Sequence, residues 1–501
     1  MILKELLAET KILSLSGALN APSTISIKSL CFDSRHVTPG ALFFALAGTQ
    51  QQGDFFANEA VARGAVAVVT QEELPSVTVP VIRVANTRIA MGEMAAAFYR
   101  WPSHTLAVCG VTGTNGKTTT SYLVRHLCEA NGRACGLVGT VEYILPGIVT
   151  EAARTTPESI DLQRMMEEMR RGGFKAVTME VSSHAVVQER VHGTEFDGVI
   201  FTNLTQDHLD YHGSMEAYFE AKATLFEMLS KQQTKKGRAI INSDDRYGRL
   251  LLERFSSKLP VVTFGQSSNA DFRASDIHYT STGTTFRMDA RGKSYLVRSP
   301  LIGLFNVYNA LGALAAATAM GLELRRAVKA LETAPQVPGR LQRLPGKNSF
   351  QVFVDYAHTP DALENVLRSL RQLQPERLVV VFGCGGDRDR SKRPLMAAAA
   401  EVYADSIIVT TDNPRGEDPD AIIAEVEHGF RQKRHQSISD REKAIMTAIE
   451  QALPNDMIVI AGKGHETYQE VKGVRSSFDD VTIALRAMNS RRGPSIAPNK
   501  F

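Results

Sequence analysis

The sequence is poor in cysteine and in long apolar runs. Its five cysteines are scattered and contain no Cys-x-x-Cys pair, which argues against a disulfide framework and for a reducing, cytoplasmic location. No uninterrupted apolar stretch approaches the roughly 18 residues of a membrane span, so we predict no membrane partner. The first residues, MILKELLAETKIL, are interrupted by Glu5 and Glu9 and lack the apolar centre of a signal peptide.

A charge excess is missing as well. Lysine and arginine number 57 against 54 aspartates and glutamates, for a net charge of +3. Such a small excess does not indicate a basic surface, so we predict no nucleic-acid partner. Hydrophobic residues make up 43% and charged residues 22%, which is typical of a soluble globular protein.

Strand and helix patterns alternate along the whole chain of 501 residues, which is too long for one core. The stretch WPSHT indicates a boundary near residue 100, and QVPGR interrupts a helical pattern near residue 338. We therefore predict three α/β domains with largely parallel sheets, covering residues 1–100, 101–336 and 337–501.

The stretch VCGVTGTNGKTTT joins an apolar strand to a helix and is typical of a phosphate-binding loop. Gly113 and Gly116 allow backbone N–H groups to point at an anion, beside the positive end of the helix. Lys117 can reach the β- and γ-phosphates of a nucleotide, and the hydroxyl of Thr118 suits Mg²⁺. Val111 occupies the first glycine position of the common motif, and the alternative is a glycine-rich turn that binds nothing.

Two polar segments and one lysine follow this loop. Glu180 ends the strand AVTMEV, where an acid can hold Mg²⁺ or can simply be solvated. The segment NLTQDHLDYHG contains His208 and His212, and three interpretations remain open. The segment can be a polar loop that caps the next helix, or it can bring His208 close to a metal ion and substrate phosphates. The His-x-x-x-His spacing can also indicate a zinc site. Lys222 shares an apolar helix face with Tyr218, a pattern that favours a lysine extending its charge to water.

Three charged loops follow apolar strands in the last domain. GGDRD follows LVVVFGC, DNPR follows SIIVTT, and GKGHE follows MIVIA. The carboxyl ends of parallel strands share one edge, where ligands bind. The residues that we expect to converge there are Arg388, Asp412, Asn413, Pro414, Arg415, Gly462 and Glu466. They suit a small molecule with both amines and acids, and the alternative is a solvated turn with Arg415 paired to Glu417 or Asp418.

Together these motifs resemble the Mur ligase family. GTNGKTTT, TTP, MEVSSH, FTNLTQDHLDYHG, GLFNVYNALGA, DYAHTPDAL, FGCGGDRDRSKRP, DNPR and AGKGHE occur in the family's order over nearly the whole chain. The likeness is closest to the members that add the third amino acid to the peptidoglycan precursor. It implies a P-loop-type central ATPase domain, flanked by an N-terminal uridine-nucleotide domain and a C-terminal Rossmann-like domain that binds the amino acid.

The resemblance also implies a reaction. ATP phosphorylates the γ-carboxylate of D-glutamate in UDP-MurNAc-L-Ala-D-Glu, and the incoming amine attacks this acyl phosphate to form an amide. Two Mg²⁺ ions are implied, one served by Thr118 and Glu180 and the other by His208 and Lys222. The matching lysine of the family is carbamylated, so Lys222 is expected as N6-carboxylysine, and Lys117 is expected to act in catalysis with these ligands.

Further residues receive binding roles from the resemblance. Those implied for ATP are Gly113, Thr114, Asn115, Gly116, Lys117, Thr118, Thr119, Asn306, Asn309, Arg340 and the loop from Asp355 to His358. Those implied for the UDP-MurNAc-dipeptide are Ser34, Thr155, Thr156, Ser182, Gln188, Arg190 and the loop after Gly48. The chain departs from the family pattern in TQQQGDFF after Gly48, and in Gln342, where relatives commonly carry an acid.

Arg415 decides which amino acid is implied. meso-Diaminopimelate has a second carboxylate that can pair with this guanidinium, whereas lysine has none, and an unpaired buried guanidinium is costly. Members of the family that add lysine carry a different residue at this position. We therefore predict meso-diaminopimelate as the substrate of a monomeric ligase. The alternatives are a lysine-adding Mur ligase, a folylpolyglutamate synthase-like ligase, and a P-loop switch or motor.

Overall fold

The computed structural model describes residues 1–16, 24–46, 53–432 and 435–491. The first sheet and its helices comprise α1 (Leu3–Leu7), β1 (Ile12–Ser16), β2 (Ser29–Cys31), β3 (Ala41–Phe44), α2 (Ala57–Ala62), β4 (Ala65–Thr70), β5 (Val81–Val84) and α3 (Thr87–Phe98). The strand order is β1-β5-β4-β3-β2, with β2 to β5 parallel and β1 antiparallel. Residues 47–52 lie outside the described ranges, and so does most of the loop predicted to contact uridine.

The second sheet occupies the middle of the chain. Its elements are β6 (Ala107–Thr112), α4 (Lys117–Ala130), β7 (Cys135–Val138), β8 (Glu142–Leu145), β9 (Ile148–Glu151), α5 (Ser159–Arg171), β10 (Ala176–Glu180), α6 (Ser183–Val187), β11 (Gly198–Phe201), α7 (Leu209–His212), α8 (Met215–Ser230), β12 (Arg238–Asn242), α9 (Arg246–Phe255), β13 (Val261–Gly265), β14 (Phe272–Thr280), β15 (Gly283–Ala290), β16 (Lys293–Ser299), α10 (Leu304–Ala319) and α11 (Leu324–Ala330). The strand order is β16-β15-β14-β13-β12-β11-β6-β10-β7-β8-β9.

The centre of this sheet is parallel, as the sequence predicts, and it positions the phosphate loop. β6 lies between β10 and β11, with Glu180 in register with Val111 and Phe201 in register with Thr112. The loop after β6 therefore leaves the sheet between the carboxyl ends of its two neighbours, where ligands bind in such sheets. Both flanks are antiparallel, which the sequence analysis did not predict.

The third sheet belongs to the C-terminal part of the chain. Its elements are β17 (Gln342–Arg343), β18 (Gln351–Asp355), α12 (Pro360–Arg371), β19 (Leu378–Phe382), α13 (Lys392–Tyr403), β20 (Ser406–Val409), α14 (Pro419–Glu427), β21 (His435–Ser437), α15 (Arg441–Glu450), β22 (Met457–Ala461), β23 (Tyr468–Val471), β24 (Val474–Ser477) and α16 (Asp480–Ser490). The order is β17-β18-β22-β19-β20-β21, with β23 and β24 forming a separate hairpin. β18 to β22 pair in parallel, so the loops after β19, β20 and β22 share one edge.

The cysteine side chains and the lengths of the helices bear on where the protein resides in the cell. All five cysteines are buried free thiols. Among the described residues, the helices are too short or too polar to cross a membrane.

Candidate functional site

The phosphate loop brings two lysines, the half-buried Lys117 and the buried Lys222, to one carbonyl group. Lys117 Nζ donates to the carbonyl oxygens of Gly113 and Thr114 at 2.9 and 2.8 Å, and Lys222 Nζ donates to that of Gly113 at 3.0 Å. Gly113 has φ +144°, and a Cβ there would lie 1.9 Å from the Thr202 hydroxyl oxygen. A side chain at this position is therefore excluded by both conformation and space.

Lys222 does not extend its charge to water, so that interpretation of the sequence is wrong. Its side chain on α8 is 1% exposed, and its Nζ lies 4.5 Å from the centre of the Tyr218 ring. Burial, followed by the charge of Lys117, lowers the pKa of Lys222 well below its ordinary value. A lowered pKa favours the neutral amine, which is the form that reacts with electrophiles such as CO₂.

A cavity of about 180 Å³ joins these lysines to the predicted metal ligands. Its lining includes Thr114, Asn115, Gly116, Lys117, Thr118, Thr119, Thr155, Glu180, Ser182, His208, Lys222 and Arg340. Glu180 accepts hydrogen bonds from the amide and hydroxyl of Thr140 at 2.8 and 3.0 Å. The Thr118 hydroxyl accepts one from Arg340 Nη2 at 3.0 Å. The residues predicted to serve Mg²⁺ therefore face one space beside the phosphate loop.

His208 lies at the start of α7 in the left-handed region, with φ +54°. Desolvation lowers its pKa to about 4, although Asp207, 3.5 Å away, acts in the opposite direction. The imidazole is therefore neutral near pH 7, as a metal ligand requires. The zinc alternative gains no support, because no group of three or more His, Cys, Asp or Glu in the described ranges forms a metal site. His212 Nε2 instead lies 2.9 Å from the Ser183 hydroxyl.

A second cavity, of about 290 Å³, extends from the phosphate loop between the central and C-terminal sheets. It is lined by Asn115, Gly116, Thr119, Phe264, Leu304, Phe305, Tyr308, Asn309, Arg340, Asp355, Tyr356 and His358, among others. Phe264, Leu304, Phe305 and Tyr308 give this cavity an apolar, aromatic wall suited to a purine base.

The predicted nucleotide residues of α10 play unequal parts in this cavity. Asn309 lines it, and its Oδ1 would lie 2.4 Å from a Cβ at Gly116. Asn306 lies behind Asn309, accepting its amide hydrogen at 3.0 Å, and does not line the cavity.

Asp355, at the end of β18, also lines this cavity. It accepts backbone N–H groups from Leu341 and Ala357 at 2.5 and 2.7 Å, and burial raises its pKa to about 6.

The residues predicted for the dipeptide form a connected cluster beside Glu180. The Thr156 hydroxyl donates to the Glu180 carbonyl oxygen at 2.8 Å and accepts the Ser182 amide hydrogen at 3.2 Å. Arg190 donates to the Thr156 carbonyl oxygen at 3.1 Å and to Gln188 Oε1 at 2.6 Å. The structure thus brings Thr155, Thr156, Ser182, Gln188 and Arg190 to one region of the central sheet.

Two other positions from the sequence analysis make local contacts. Ser34 is buried in the N-terminal part of the chain, where its hydroxyl donates to Glu59 Oε2 at 2.8 Å. Gln342, which stands where relatives commonly carry an acid, accepts the Gly339 amide hydrogen at 2.9 Å. That bond closes the turn between the central and C-terminal sheets.

The largest of the cavities, about 500 Å³, lies where the charged C-terminal loops face the central sheet. Its lining includes His184, Asp207, His208, Asp210, Tyr356, His358, Arg388, Lys392, Asp412, Asn413, Arg415, Gly462 and Glu466. The predicted convergence of the three loops is therefore present, except that Pro414 does not line this space. His208 borders this cavity and also the one at the phosphate loop.

Arg415 is held in place by its backbone. It has φ +51°, its N–H donates to the Glu470 carbonyl oxygen at 3.0 Å, and its own carbonyl accepts the Lys472 N–H at 2.6 Å. Its Nη1 donates to the Gly386 carbonyl oxygen at 2.8 Å. The alternative pairing with Glu417 or Asp418 is not present in the described residues. Glu417 binds Arg393 at 2.7 Å, and Asp418 accepts the N–H groups of Asp420 and Ala421 at the start of α14.

Comparison with known proteins decides the family. Three sequence profiles match: Mur ligase family, catalytic domain, at residues 26–99; Mur ligase middle domain at 111–317; and Mur ligase, glutamate ligase domain, at 339–464. A protein of Geobacillus thermodenitrificans named UDP-N-acetylmuramoyl-L-alanyl-D-glutamate–2,6-diaminopimelate ligase is 46% identical over 470 residues, covering 93% of this chain and 96% of its own length. The chain belongs to the Mur ligase family.

Further relatives and solved structures agree with this assignment. An Aquifex aeolicus protein of the same name is 45% identical over 462 residues, covering 91% of this Mur ligase and 92% of its own length. A solved structure of that name has 36% identity and a TM-score of 0.71, covering 98% of this chain and 99% of the other. The MurF ligase of Thermotoga maritima, solved with ADP, has 17% identity and a TM-score of 0.63, covering 93% and 97%, and shows the shared fold.

Tyr356 lies in the loop from Asp355 to His358 that the resemblance implied for ATP, whereas Asp361 of this Mur ligase site was missed in the sequence. Tyr356 borders all three cavities, and the Arg340 guanidinium lies 4.7 Å from the centre of its ring. Asp361 accepts a hydrogen bond from Asn115 Nδ2 at 2.9 Å and so joins α12 to the phosphate loop. Both belong to the motif DYAHTPDAL, where an aromatic ring and an acid beside a strand end were the available signal.

Proposed function

We propose that this protein is an ATP-dependent ligase that joins meso-2,6-diaminopimelate to the γ-carboxylate of D-glutamate in UDP-MurNAc-L-Ala-D-Glu. The product is an amide, and ATP is converted to ADP and phosphate through an acyl phosphate. This reaction belongs to peptidoglycan precursor synthesis. We also infer a cytoplasmic monomer with domains at residues 1–100, 101–336 and 337–501.

The observation that carries the proposal is the position of Arg415. Its guanidinium lines the same cavity as Asp412, Asn413 and Glu466, and that cavity continues to His208 at the phosphate site. One rim thus offers a cation for a carboxylate, acids for an ammonium group, and access to the site of activation. A diamino diacid matches these groups, whereas lysine leaves the guanidinium without a carboxylate partner. The names of the relatives at 45 and 46% identity agree with this substrate.

Activation of the carboxylate takes place at the phosphate loop. A carboxylate is a poor electrophile, and its phosphorylation supplies a good leaving group for the attack of an amine. Backbone N–H groups after Gly113 bind the phosphates, and Lys117, which donates to two carbonyl groups of the loop, balances charge on the transferred phosphoryl group. No side-chain nucleophile is needed.

We propose that two Mg²⁺ ions are held here, by Thr118 and Glu180 and by His208 and the carbamate of Lys222. The hydroxyl, carboxylate and carbamate supply the oxygen ligands that Mg²⁺ prefers, and substrate phosphates complete its coordination. When bound, Mg²⁺ neutralises charge on the phosphate oxygens. Thr118 and Glu180 are already oriented by Arg340 and Thr140, so these donors face the cavity before any ligand is bound.

The second half of the reaction needs the amino acid in place. We infer that Arg415 and Arg388 bind a carboxylate of the diaminopimelate and that Asp412, Asn413 and Glu466 bind its distal ammonium group, because all five residues line one cavity. The other amine then faces the central sheet, where the acyl phosphate forms. Its attack gives a tetrahedral intermediate that collapses to the amide and phosphate.

A ligation assay tests this proposal. Purified protein is supplied with ATP, Mg²⁺ and UDP-MurNAc-L-Ala-D-Glu, together with either meso-diaminopimelate or L-lysine, and the tripeptide product and phosphate are measured. We expect product with the diacid and a rate at least about 100-fold lower with lysine, because the discrimination is polar. Equal use of the two amino acids would refute the assigned substrate, and phosphate release without any nucleotide peptide would indicate a switch or motor instead.

A further inference from the structure

A buried lysine lies behind Asp412, Asn413 and Glu466, which line the 500 Å³ cavity of the C-terminal loops. Lys463, in the loop after β22, is completely buried and is absent from the cavity lining. Its Nζ donates to Asn413 Oδ1 at 3.0 Å and lies 3.4 Å from Glu466 Oε2 and 3.9 Å from Asp412 Oδ1. Lys463 thus contacts three of the residues that we propose bind the ammonium group of the substrate.

This arrangement solves an electrostatic problem. Glu466 must be ionised to attract an ammonium group, yet the nearby side chain of Asp412 opposes a second negative charge in the same buried site. Burial and then the charge of Asp412 raise the pKa of Glu466, whereas Lys463 acts in the opposite direction. Lys463 stabilises negative charge on these acids from the buried side, and so leaves the cavity free for the substrate.

Resting on the proposed function, we infer that Lys463 is a positioning residue that keeps Glu466 ionised beside Asp412 and fixes Asn413, and so sets the affinity for the distal ammonium group of the amino acid. It acts through these three residues, and it does not contact substrate. The ammonium of the substrate and that of Lys463 then lie on opposite sides of the same carboxylates.

The surroundings of Glu466 leave few other groups for this task. Apart from Lys463, the titratable groups that face it are Asp412, Tyr356, Tyr468 and Arg441. Among these only Arg441 is a cation, and it is already bound by Asp480 through two hydrogen bonds of 2.8 and 2.6 Å. Among the described residues, Lys463 is the cation that forms an ion pair with Glu466, at 3.4 Å.

Steady-state kinetics of Lys463→Met across pH 6 to 9 test this inference. At pH 7 we expect the KM for diaminopimelate to rise at least about tenfold, with kcat and the KM for ATP within about threefold of wild type. The acidic limb of kcat/KM for diaminopimelate should move to higher pH by about one unit or more, because Glu466 now binds a proton more readily. A purely structural role would lower activity without moving this limb.

A double-mutant cycle with Glu466→Gln provides the second readout. If Lys463 acts through the ionisation of Glu466, Lys463→Met should have less than about threefold effect on this KM when Glu466 is already Gln. Lys443→Met, on the exposed face of α15, is the matched loss of a lysine and should leave the KM unchanged. Lys463→Gln keeps a hydrogen-bond donor and replaces the Met variant if that variant does not fold.

The outcomes separate this inference from the proposed function. If wild-type protein does not ligate diaminopimelate, the proposed function fails before any variant is compared. If wild type is active and the Lys463 variants have the wild-type KM for diaminopimelate and the wild-type acidic limb of kcat/KM, the role of Lys463 is refuted and the proposed function stands. The role of Lys463 would also be refuted if Lys463→Met changed the KM for diaminopimelate equally in wild type and in the Glu466→Gln variant.

Discussion

The side-chain nitrogens of Lys117 and Lys222 share one acceptor, the carbonyl oxygen of Gly113, at 2.9 and 3.0 Å. Two ammonium groups around one carbonyl would repel each other, and burial lowers the pKa of both lysines, which favours loss of a proton from Lys222. Carbamylation of Lys222 would convert one of these cations into an anion and replace repulsion by attraction. The geometry therefore supports the chemical modification that the family resemblance implies.

The first prediction concerns Lys222. We expect Lys222→Ala to lower kcat by about 100-fold or more, because the proposed carbamate, as a metal ligand and a charge partner of Lys117, is lost from the proposed phosphoryl-transfer site. A short carboxylate such as formate fits the vacated space and should restore part of the activity. Turnover with and without added formate is the measurement.

Lys231→Ala is the control for this experiment. Lys231 follows α8 and its side chain is 72% exposed, so the same substitution removes a lysine without entering the cavity. Full activity of Lys222→Ala, with no response to formate, would contradict the carbamate role. Mass spectrometry of wild-type protein under mild conditions should show an added CO₂ that is absent from the variant.

The second prediction concerns Arg415. Loss of a hydrogen-bonded ion pair to the substrate costs about 1.5–3 kcal/mol, so Arg415→Ala should raise the KM for diaminopimelate by roughly 10–100-fold. The KM for ATP should change little, because Arg415 does not line the nucleotide cavity. Arg431→Ala, an exposed arginine of the same domain, is the matched control. Equal increases in both KM values would remove Arg415 from the amino-acid site.

Local patterns in the sequence were sufficient for the features that depend on short stretches of chain. The order strand, GTNGKTTT, helix predicts a phosphate loop, and DNPR after an apolar strand predicts a charged loop at a sheet edge. Both lie where parallel topology requires them, because the carboxyl ends of neighbouring strands must meet. The three α/β domains follow from the same alternation of strands and helices.

Features that depend on distant residues could not be predicted in this way. Lys222 has the sequence pattern of a lysine that reaches water, and only the approach of Gly113, from another part of the chain, encloses it. Asn306 and Asn309 look equivalent in FNVYN, yet the packing of α10 against the phosphate loop leaves only Asn309 at the cavity. Lys463 is hidden inside a glycine-rich motif, and its role depends on two loops that fold over it.

The third prediction concerns the hairpin of β23 and β24, which binds the backbone of Arg415. Lys472 and Gly473 form its two-residue turn with φ +48° and +77°, the conformation of a type I′ turn. Gly473→Val places a β-branched residue where glycine is favoured, at a cost of about 1–2 kcal/mol. We expect a several-fold rise in the KM for diaminopimelate and little change in the KM for ATP.

Lys472→Asn provides the opposite change in the same turn. Asparagine is preferred before glycine in type I′ turns, and the variant keeps the N–H that donates to the Arg415 carbonyl. Its KM for diaminopimelate should equal or fall below that of wild type. If both variants leave this KM unchanged, the hairpin does not position Arg415.

The fourth prediction concerns the contact between α3 and the central part of the chain. His192 Nε2 lies 3.4 Å from Glu93 Oε1, and its Nδ1 lies 3.5 Å from Glu189 Oε2. Burial alone would lower the pKa of His192, but hydrogen bonds to Glu189 and Glu93 outweigh it and raise the pKa to about 9. An unfolded histidine has a pKa of about 6.5. The protonated imidazole therefore stabilises the fold fully below pH 6.5, and this stabilisation is lost as the pH rises toward 9.

Thermal unfolding of wild type and His192→Gln from pH 6 to 9.5 measures this contribution. We expect the variant to unfold at a Tm a few degrees lower at pH 6 and at nearly the wild-type Tm at pH 9.5, so that the difference shrinks across the window. His428→Gln, at an exposed position, controls for the loss of a histidine and should show no such trend. A difference in Tm that stays constant with pH would mean that His192 acts through packing alone, because a neutral contact has no protonation step to lose.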